Sequence, residues 1–557
     1  MIPCVLFEDE HLLVVNKPPG MNTHAPSPYA GEGLYEWLRH REPRWASLAI
    51  VHRLDKETSG VMVFGKTTLA NRSLTEQFAR REVRKKYLLI TDHAVKKNEF
   101  TVNSSLVRAG ERYTSRAGGE PAETLFRVIE TRGEQTLVEA EPRTGRTHQI
   151  RVHAAESGFP ILGDTLYGGS PAARVFLHAA ELHFKDAATG AARQFTSPDG
   201  FNCETISVQN CGNIATIKDT TVSFIVATQS LAMASCSRRL GFIDPVETNA
   251  FRLIHGAGDG WPGWQVERLG DYLLSQGELP TTPAQIEALG ELLAATGTRG
   301  VYHKRLNRQI RQASPTEASP QLVLGEAAPE RFEIRENGVR FELSFNEGYS
   351  VGLFLDQRDN RRRFLTNHVA ANFELTQSAI RNPQSTVLNA FAYTCGFSVC
   401  AALGGAHVTS LDLSKKYLEW GKRNFALNGI DPAQHDFIFG DTFDWLRRFA
   451  KKGRAFDAIV LDPPTFSQSK ESGVFRAEKD YGKLVTAALP VLRPEGVLLA
   501  STNAAEWPPE EFVAEVKSAV ARAGRRVAQE HYVPQPPDFP ITRSEPGYLK
   551  TLWARIR

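Results

Sequence analysis

Hydrophobic and polar positions change rhythm along this chain. Over the first two hundred residues they come in short bursts. "HLLVVNKPPG" at 11–20 is an apolar run that ends on a Pro-Pro-Gly turn. "KKYLLIT" at 85–91, "TLFRVIE" at 124–130 and "TLVEAEP" at 136–142 alternate and are rich in β-branched residues. Period-two alternation and turn punctuation predict strands. Residues 1–200 therefore read as an α/β domain on a large antiparallel or mixed sheet.

The rhythm fails at 201–240, which is rich in Thr, Ser, Asn and Gln and nearly uncharged. It has neither a helical period nor turns, and reads as a linker or a poorly ordered insertion. Regular patterning returns at 241–340 with two strands around the Gly/Pro-rich turn of "FRLIHGAGDGWPGWQVERLGDYLLSQ". "PAQIEALGELLAATG" at 283–297 predicts an amphipathic helix that starts after Thr-Thr-Pro and ends near Gly297. From 341 to 557 strand, small-residue turn, helix and strand succeed one another, as in a doubly wound parallel sheet. The expectation is an α/β multidomain protein.

Composition narrows the class. The chain has 557 residues, 41% hydrophobic and 23% charged, with a net charge of +3. No global basic field announces nucleic acid. Local basic runs occur at 80–87, 303–312 and 358–364, each open to reading as a solvated helix face. The six cysteines form no C-x-x-C pair, so no zinc ribbon and no metal is expected. There is no signal peptide pattern and no apolar run of membrane length, which gives a cytoplasmic expectation.

"HRLDKETSG" at 52–60 sets one carboxylate, Asp55, among His, Arg, Lys, Thr and Ser. Alone it reads as a cap or turn. It is followed by "KKY" at 85–87, "TGRTHQIRVH" at 144–153, "FPILGDTLYG" at 159–168 and "FLHAAELHF" at 176–184. In this order the motifs resemble the RluA family of RNA pseudouridine synthases, over roughly residues 5–198, with no further RNA-binding domain ahead of them. The resemblance implies a mixed-sheet α+β domain that needs no cofactor. Asp55 acts beside the sugar as nucleophile or base, and Arg146 is its ion-pair partner. Tyr87 packs on the uracil and takes the proton from its carbon 5. Arg53 fills the space of a flipped nucleotide. The basic run at 80–86 would contact phosphates.

A second constellation lies in "VLNAFAYTCGFSVCAALGGAHVTSLDLSKKYLEWGKRNFALNG" at 387–429. A strand enters a small-residue turn at Gly396, a helix follows, and the next strand ends in Asp412. An acid there suits the hydroxyls of a ribose, although an ordinary core turn is also open. "FDAIVLDPPTFSQSK" then ends a buried strand on Asp462-Pro463-Pro464, two prolines that fix the backbone. From about 240 onward the chain resembles the class I S-adenosylmethionine-dependent methyltransferases that act on large-subunit ribosomal RNA. That group's small central domain matches 241–340, and its Rossmann-like methyltransferase domain matches 341–557. The resemblance implies S-adenosyl-L-methionine as cofactor, with Asn389, Phe391, Tyr393 and Gly396 along its methionine part. Asp412 would hold the ribose, and Asp441 would lie near the adenine. Gln357 and Arg358 would close over the site, and Asp462, Pro463 and Pro464 would face the acceptor base.

Methylation at carbon 5 of cytosine needs a thiolate near the acceptor, and the sequence has no cysteine after Cys400. A ring nitrogen needs only positioning. "DPPTFSQSK" with "STNAAEW" looks most like the branch that makes N7-methylguanosine, with an exocyclic amine as the competing acceptor. The expectation is a bifunctional RNA-modifying enzyme acting on large-subunit ribosomal RNA. Activity in one half alone, or a non-catalytic RNA-binding assembly factor, are the alternatives.

Overall fold

The computed structural model describes residues 2–198, 230–306, 319–347, 350–376, 385–469 and 473–557. It divides into two compact units, one of Met1–His24, Gly33–Tyr35 and Ser47–Asp244, the other of Ala25–Glu32, Glu36–Ala46 and Pro245–Arg557.

An 11-stranded sheet organises the first unit. Its main path runs Val5–Glu8, Leu12–Lys17, Ser59–Gly65, Leu177–Lys185, Arg84–Thr91, Gln135–Pro142, Glu120–Arg132, Glu99–Ala109 and Arg112–Ser115. Leu177–Lys185 runs parallel to Ser59–Gly65, and it is antiparallel to Arg84–Thr91 on its other side. Leu12–Val15 and Val61–Phe64 are buried throughout because both faces of this central region are covered, which makes these strands continuous apolar runs. Glu99–Ala109, far along the path, alternates instead. A helix at Leu231–Leu240 also belongs to this unit, capped by the Ser230 hydroxyl accepting from the Met233 amide at 3.2 Å. The expected linker at 201–240 is thus helical at its end, while 199–229 lie outside the described residues.

The second unit begins with a five-stranded sheet, Ala250–His255, Trp264–Leu269, Tyr272–Gly277, Gly300–Arg305 and Gln321–Gly325. Helix Pro283–Thr296 makes its crossover. A capping box starts that helix, with the Gln285 amide donating to Thr282 Oγ1 and the Thr282 amide to Gln285 Oε1. Gly297 ends it at φ +63°. A hairpin, Phe332–Glu336 with Val339–Leu343, leads to a seven-stranded sheet. Its order is Asp436–Phe439, His407–Asp412, Thr386–Ala390, Phe456–Leu461, Leu492–Thr502, Lys550–Ile556, Val527–Val533. The first five are parallel and Lys550–Ile556 is antiparallel. One apolar core runs from Ala250 and Tyr272 through Phe341 to Trp553. The expected boundary at 340/341 therefore divides no compact units.

The basic run at 358–364 is not a solvated face. It forms helix Arg358–Thr366, where Arg358, Arg361 and Arg363 are all under 5% exposed. Arg358 grips Asp538 with two bonds of 2.8 and 2.6 Å, and Arg361 grips Glu336 with two of 2.7 Å. Arg363 donates to the Val369 and Asp359 carbonyls, and Arg362 pairs with Glu42.

Candidate active sites

In the first unit, Asp55 sits in the loop between Ala49–Ile50 and Ser59–Gly65. The chain around it is clamped. Lys17 is fully buried and donates to the carbonyls of Pro18, Met21 and Lys56 at 3.0, 2.7 and 3.1 Å. Thr23 donates to the Leu54 carbonyl at 2.8 Å and accepts from its amide at 3.1 Å. Before the acid, His52 stacks on Phe78 at 4.6 Å and accepts from the Val63 amide, with burial pushing its pKa down to about 3. Burial likewise pulls the Lys17 ammonium down to about 7, against the raising effect of Glu57 and Asp55. Lys17 escaped sequence reasoning. One of its carbonyl partners, Lys56, directly follows Asp55 and the other two lie in the 18–21 turn, so Lys17 ties that turn to the Asp55 loop and is a positioning residue.

A cleft of about 730 Å³ opens over this loop, lined by Arg53, Asp55, Lys85, Tyr87, Arg146 and their neighbours. All four residues expected in the first site line it. Their pairing differs from expectation. Arg146 does not reach Asp55: its guanidinium is taken by Glu120 at 2.5 Å and the Pro121 carbonyl at 3.2 Å. Asp55 instead acts electrostatically on two other groups: burial lowers the His148 pKa against the raising effect of Asp55, and the Arg151 pKa rises against burial through Asp164 first and Asp55 after it. Arg151 is buried in a bidentate pair with Asp164, both bonds 2.7 Å. Tyr87 lines the cleft as expected, and burial, then Asp55, raise its pKa, so the phenol of the free protein is held protonated. Other motif residues build the fold: Gln149 donates to the Glu123 carbonyl and Thr124, and His153 bridges Thr124 and Ser104. From the basic run, Arg81 and Lys85 reach the cleft.

The second site follows from the seven-stranded sheet. Strand order reverses between Thr386–Ala390 and Phe456–Leu461, and ligands bind at the carboxyl ends beside such a switch point. Asp412, the loop 391–396, Asp441 and Asp462 all lie at carboxyl ends. The loop is unusual. Phe391, Tyr393 and Cys395 all have positive φ, at 63°, 48° and 64°. Left-handed non-glycine residues are costly and cluster at functional sites. Asp412 stabilises this turn, accepting from the amides of Tyr393 and Ser414 at 2.8 Å each, while burial raises its pKa. Cys395 is fully buried against Gly421.

A cavity of about 420 Å³ is walled by Phe391, Phe443 and Phe475 with Asp441 at its edge. Aromatic walls, a nearby carboxylate and the Asp412 strand end fit a nucleoside. Asp441 also caps helix Thr442–Lys451, accepting from the Asp444 amide at 3.0 Å. Asn389 is buried and its amide is bonded to Ser398 at 2.9 Å, behind the turn. Gly396 begins the following helix, where a Cβ would meet Leu353 at 3.0 Å.

Asp462 follows strand Phe456–Leu461, with Pro463 buried and Pro464 exposed. Gln357 donates to Asp462 Oδ2 at 3.2 Å and to Ser501 at 2.8 Å. Burial and the neighbouring Asp356 push the Asp462 pKa up to about 7, against hydrogen bonds from Ser501 and Gln357. Gln357 thus reaches the acceptor acid, whereas Arg358 does not close over the site because Asp538 holds its guanidinium fork. Asp356 was not foreseen; only proximity in the fold couples it to Asp462.

The chain matches the RNA pseudouridylate synthase family over residues 11–156 and the S-adenosylmethionine-dependent methyltransferase family over residues 251–555. It is 35% identical over 332 residues to a "Ribosomal RNA large subunit methyltransferase" of Deinococcus radiodurans, covering 58% of this chain and 77% of that protein. It is 32% identical over 320 residues to "Ribosomal RNA large subunit methyltransferase I" of Klebsiella pneumoniae, covering 55% and 74%. Among solved structures, a methyltransferase complexed with SAH is 30% identical, with a TM-score of 0.50, and covers 58% of this chain and 80% of that one. With a switch-point cavity at the strand ends and a family match over more than half its length, the chain belongs to the S-adenosylmethionine-dependent methyltransferase family and carries an RNA pseudouridylate synthase domain ahead of it.

Proposed function

We propose that this chain is a bifunctional RNA-modifying enzyme: the first unit isomerises uridine to pseudouridine, and the second methylates guanine N7, both on large-subunit ribosomal RNA. The rRNA assignment rests on what the relatives' names say of them. In the first cleft Asp55 acts at the sugar of a flipped uridine. Arg53 and Tyr87 line the same cleft, Tyr87 as a protonated stacking partner. Lys17 and Thr23 keep the acid in place.

In the second unit, Phe391, Phe443 and Phe475 hold the adenine, Asp412 the ribose, and the 391–396 turn the amino-acid part. Bound S-adenosylmethionine supplies an electrophilic methyl group. The protein's task is then to aim the base and exclude water. The observation that carries N7 is the chemistry of the cysteines. Cys395 and Cys400 are buried, and burial pushes Cys395 up to about 12 and Cys400 higher still. Neither is a thiolate at neutral pH, and the sequence has no later cysteine, so among the described residues of this unit carbon-5 chemistry lacks its nucleophile. In its neutral form Asp462 can donate to the guanine O6 that lies beside N7. A second reading has support too: a carboxyl near 7 suits uptake of the proton that an exocyclic amine releases.

The test is nucleoside mass spectrometry of ribosomal RNA treated with wild type, Asp55→Ala and Asp462→Ala, with and without S-adenosylmethionine. Expected are pseudouridine lost only with Asp55→Ala and N7-methylguanosine lost only with Asp462→Ala. An N2-methylguanosine product would favour the amine reading; a 5-methylcytosine product would refute both.

A further inference from the structure

Two histidines and a glutamate from distant parts of the sequence meet in the second unit, away from the residues that line either cleft. Glu32 and His40 belong to its Ala25–Glu32 and Glu36–Ala46 segments, and His531 to strand Val527–Val533. One ligand atom from each lies within 4.8 Å of the other two. His40 Nδ1 is 2.7 Å from Glu32 Oε1, and the His40 and His531 rings are 4.3 Å apart at 71°.

The arrangement is incomplete as a hydrogen-bonded cluster. His531 Nε2 is buried and has no hydrogen-bond partner among the described residues. Buried polar nitrogens are normally satisfied, and one that is not asks for an explanation. Burial, together with His40, Arg363 and His368, drives the His531 pKa well down. The flanking groups are occupied elsewhere. Arg363 donates to two carbonyls, Arg41 faces Asp359 at 3.8 Å, and His368 bonds the Arg39 carbonyl at 3.2 Å.

We propose that Glu32, His40 and His531 bind one divalent transition-metal ion, with zinc the best fit. Two imidazole nitrogens and one carboxylate oxygen match zinc's usual donors, with the fourth position left to water. Ligand atoms around tetrahedral zinc stand about 3.3 Å apart, given Zn–N near 2.05 Å. On binding, the Glu32–His40 pair at 2.7 Å therefore opens by about 0.6 Å, while the widest separation, at most 4.8 Å, closes by no more than about 1.5 Å. Room exists, since the His40 and Glu32 side chains are 15% and 11% exposed. The ion would fasten the Ala25–Glu32 and Glu36–Ala46 segments to strand Val527–Val533 within the second unit, a structural role distinct from both proposed activities.

The experiment uses the full chain without a histidine tag, stripped with chelator and titrated with Co²⁺. Visible d–d absorption should saturate at one equivalent, Zn²⁺ should bleach it, and Zn²⁺ should raise the melting temperature. His531→Ala and His40→Ala should abolish the absorption, and Glu32→Gln should weaken binding more than about 10-fold. Should His531→Ala fail to fold, the His40→Gln and Glu32→Gln variants, at more exposed positions, carry the test. No saturable absorption in wild type, or the same absorption in wild type and the folded variants, would overturn the site and leave a plain Glu32–His40 hydrogen bond.

Discussion

Replacing Asp462 by Asn should stabilise the second unit, and by more as the pH rises. The carboxyl titrates near 7 in the fold and near 3.8 when free. Between those values the folded state holds a proton that the unfolded state has lost, so stability falls with rising pH across this window and is level above it. Each pH unit in the window is worth about 1.4 kcal/mol. Going from pH 5 to pH 7 would therefore cost about 2.7 kcal/mol, and Asp462 is not wholly covered, so screening leaves about 2 kcal/mol. Asn keeps the shape and can still bond Gln357 and Ser501, but it has no proton to lose. The melting temperature of Asp462→Asn minus that of wild type should thus be larger at pH 8 than at pH 5, by about 3 °C for a unit of this size. Differential scanning calorimetry reads this directly. With two units the chain need not melt in one step, and the transition to follow is the one that S-adenosylmethionine shifts. Other titrations are common to both proteins and cancel in the difference. A pH-independent difference, or one that shrinks with pH, would show that Asp462 is not held neutral by burial and Asp356.

Three further outcomes follow from the geometry. Gly421→Ala places a Cβ 2.3 Å from Cys395 Sγ, so it should cost about 1–3 kcal/mol and weaken S-adenosylmethionine binding by calorimetric titration. Adding Cys395→Gly, which removes the sulfur and relaxes φ +64°, should restore both. Gly60→Ala, at φ +116° with the Ala179 carbonyl 2.2 Å from the new Cβ, should lower the melting temperature of the first unit; unchanged stability would contradict the strand pairing beside the Asp55 loop. Arg151→Ala strands the buried Asp164 carboxylate and should destabilise that unit by about 3–5 kcal/mol in urea titration, whereas Arg146→Ala, whose partner Glu120 is 67% exposed, should cost far less.

What the sequence revealed followed local rules. The strands at 12–17, 84–91, 120–132 and 135–142 and the helix at 283–296 obey alternation, turn chemistry and capping, which neighbouring residues decide. Asp412 and Asp462 were placed at strand ends because a βαβ unit fixes its own geometry. Partners distant in sequence were illegible. Nothing near Arg146 announces Glu120, nothing near Arg358 announces Asp538, and Asp356 meets Asp462 only through the fold. Lys17 looked like part of a strand, since its role lies in carbonyls that only the folded loop brings to it. Ser230 lay inside a stretch whose bulk composition masked a short capped helix.

The helix at 358–366 bears on how RNA affinity should respond to ionic strength. Binding to a polyanion is driven by release of condensed counterions, one contribution for each cation that neutralises a phosphate. Arg358, Arg361, Arg362 and Arg363 already have internal carboxylates or carbonyls as partners. They displace no counterions, and the slope of log affinity against log salt should be short by these four. The densest cluster of arginine in the sequence is thus silent in the polyelectrolyte effect, and the thermodynamics of docking falls to cations that line the first cleft, such as Arg81 and Lys85.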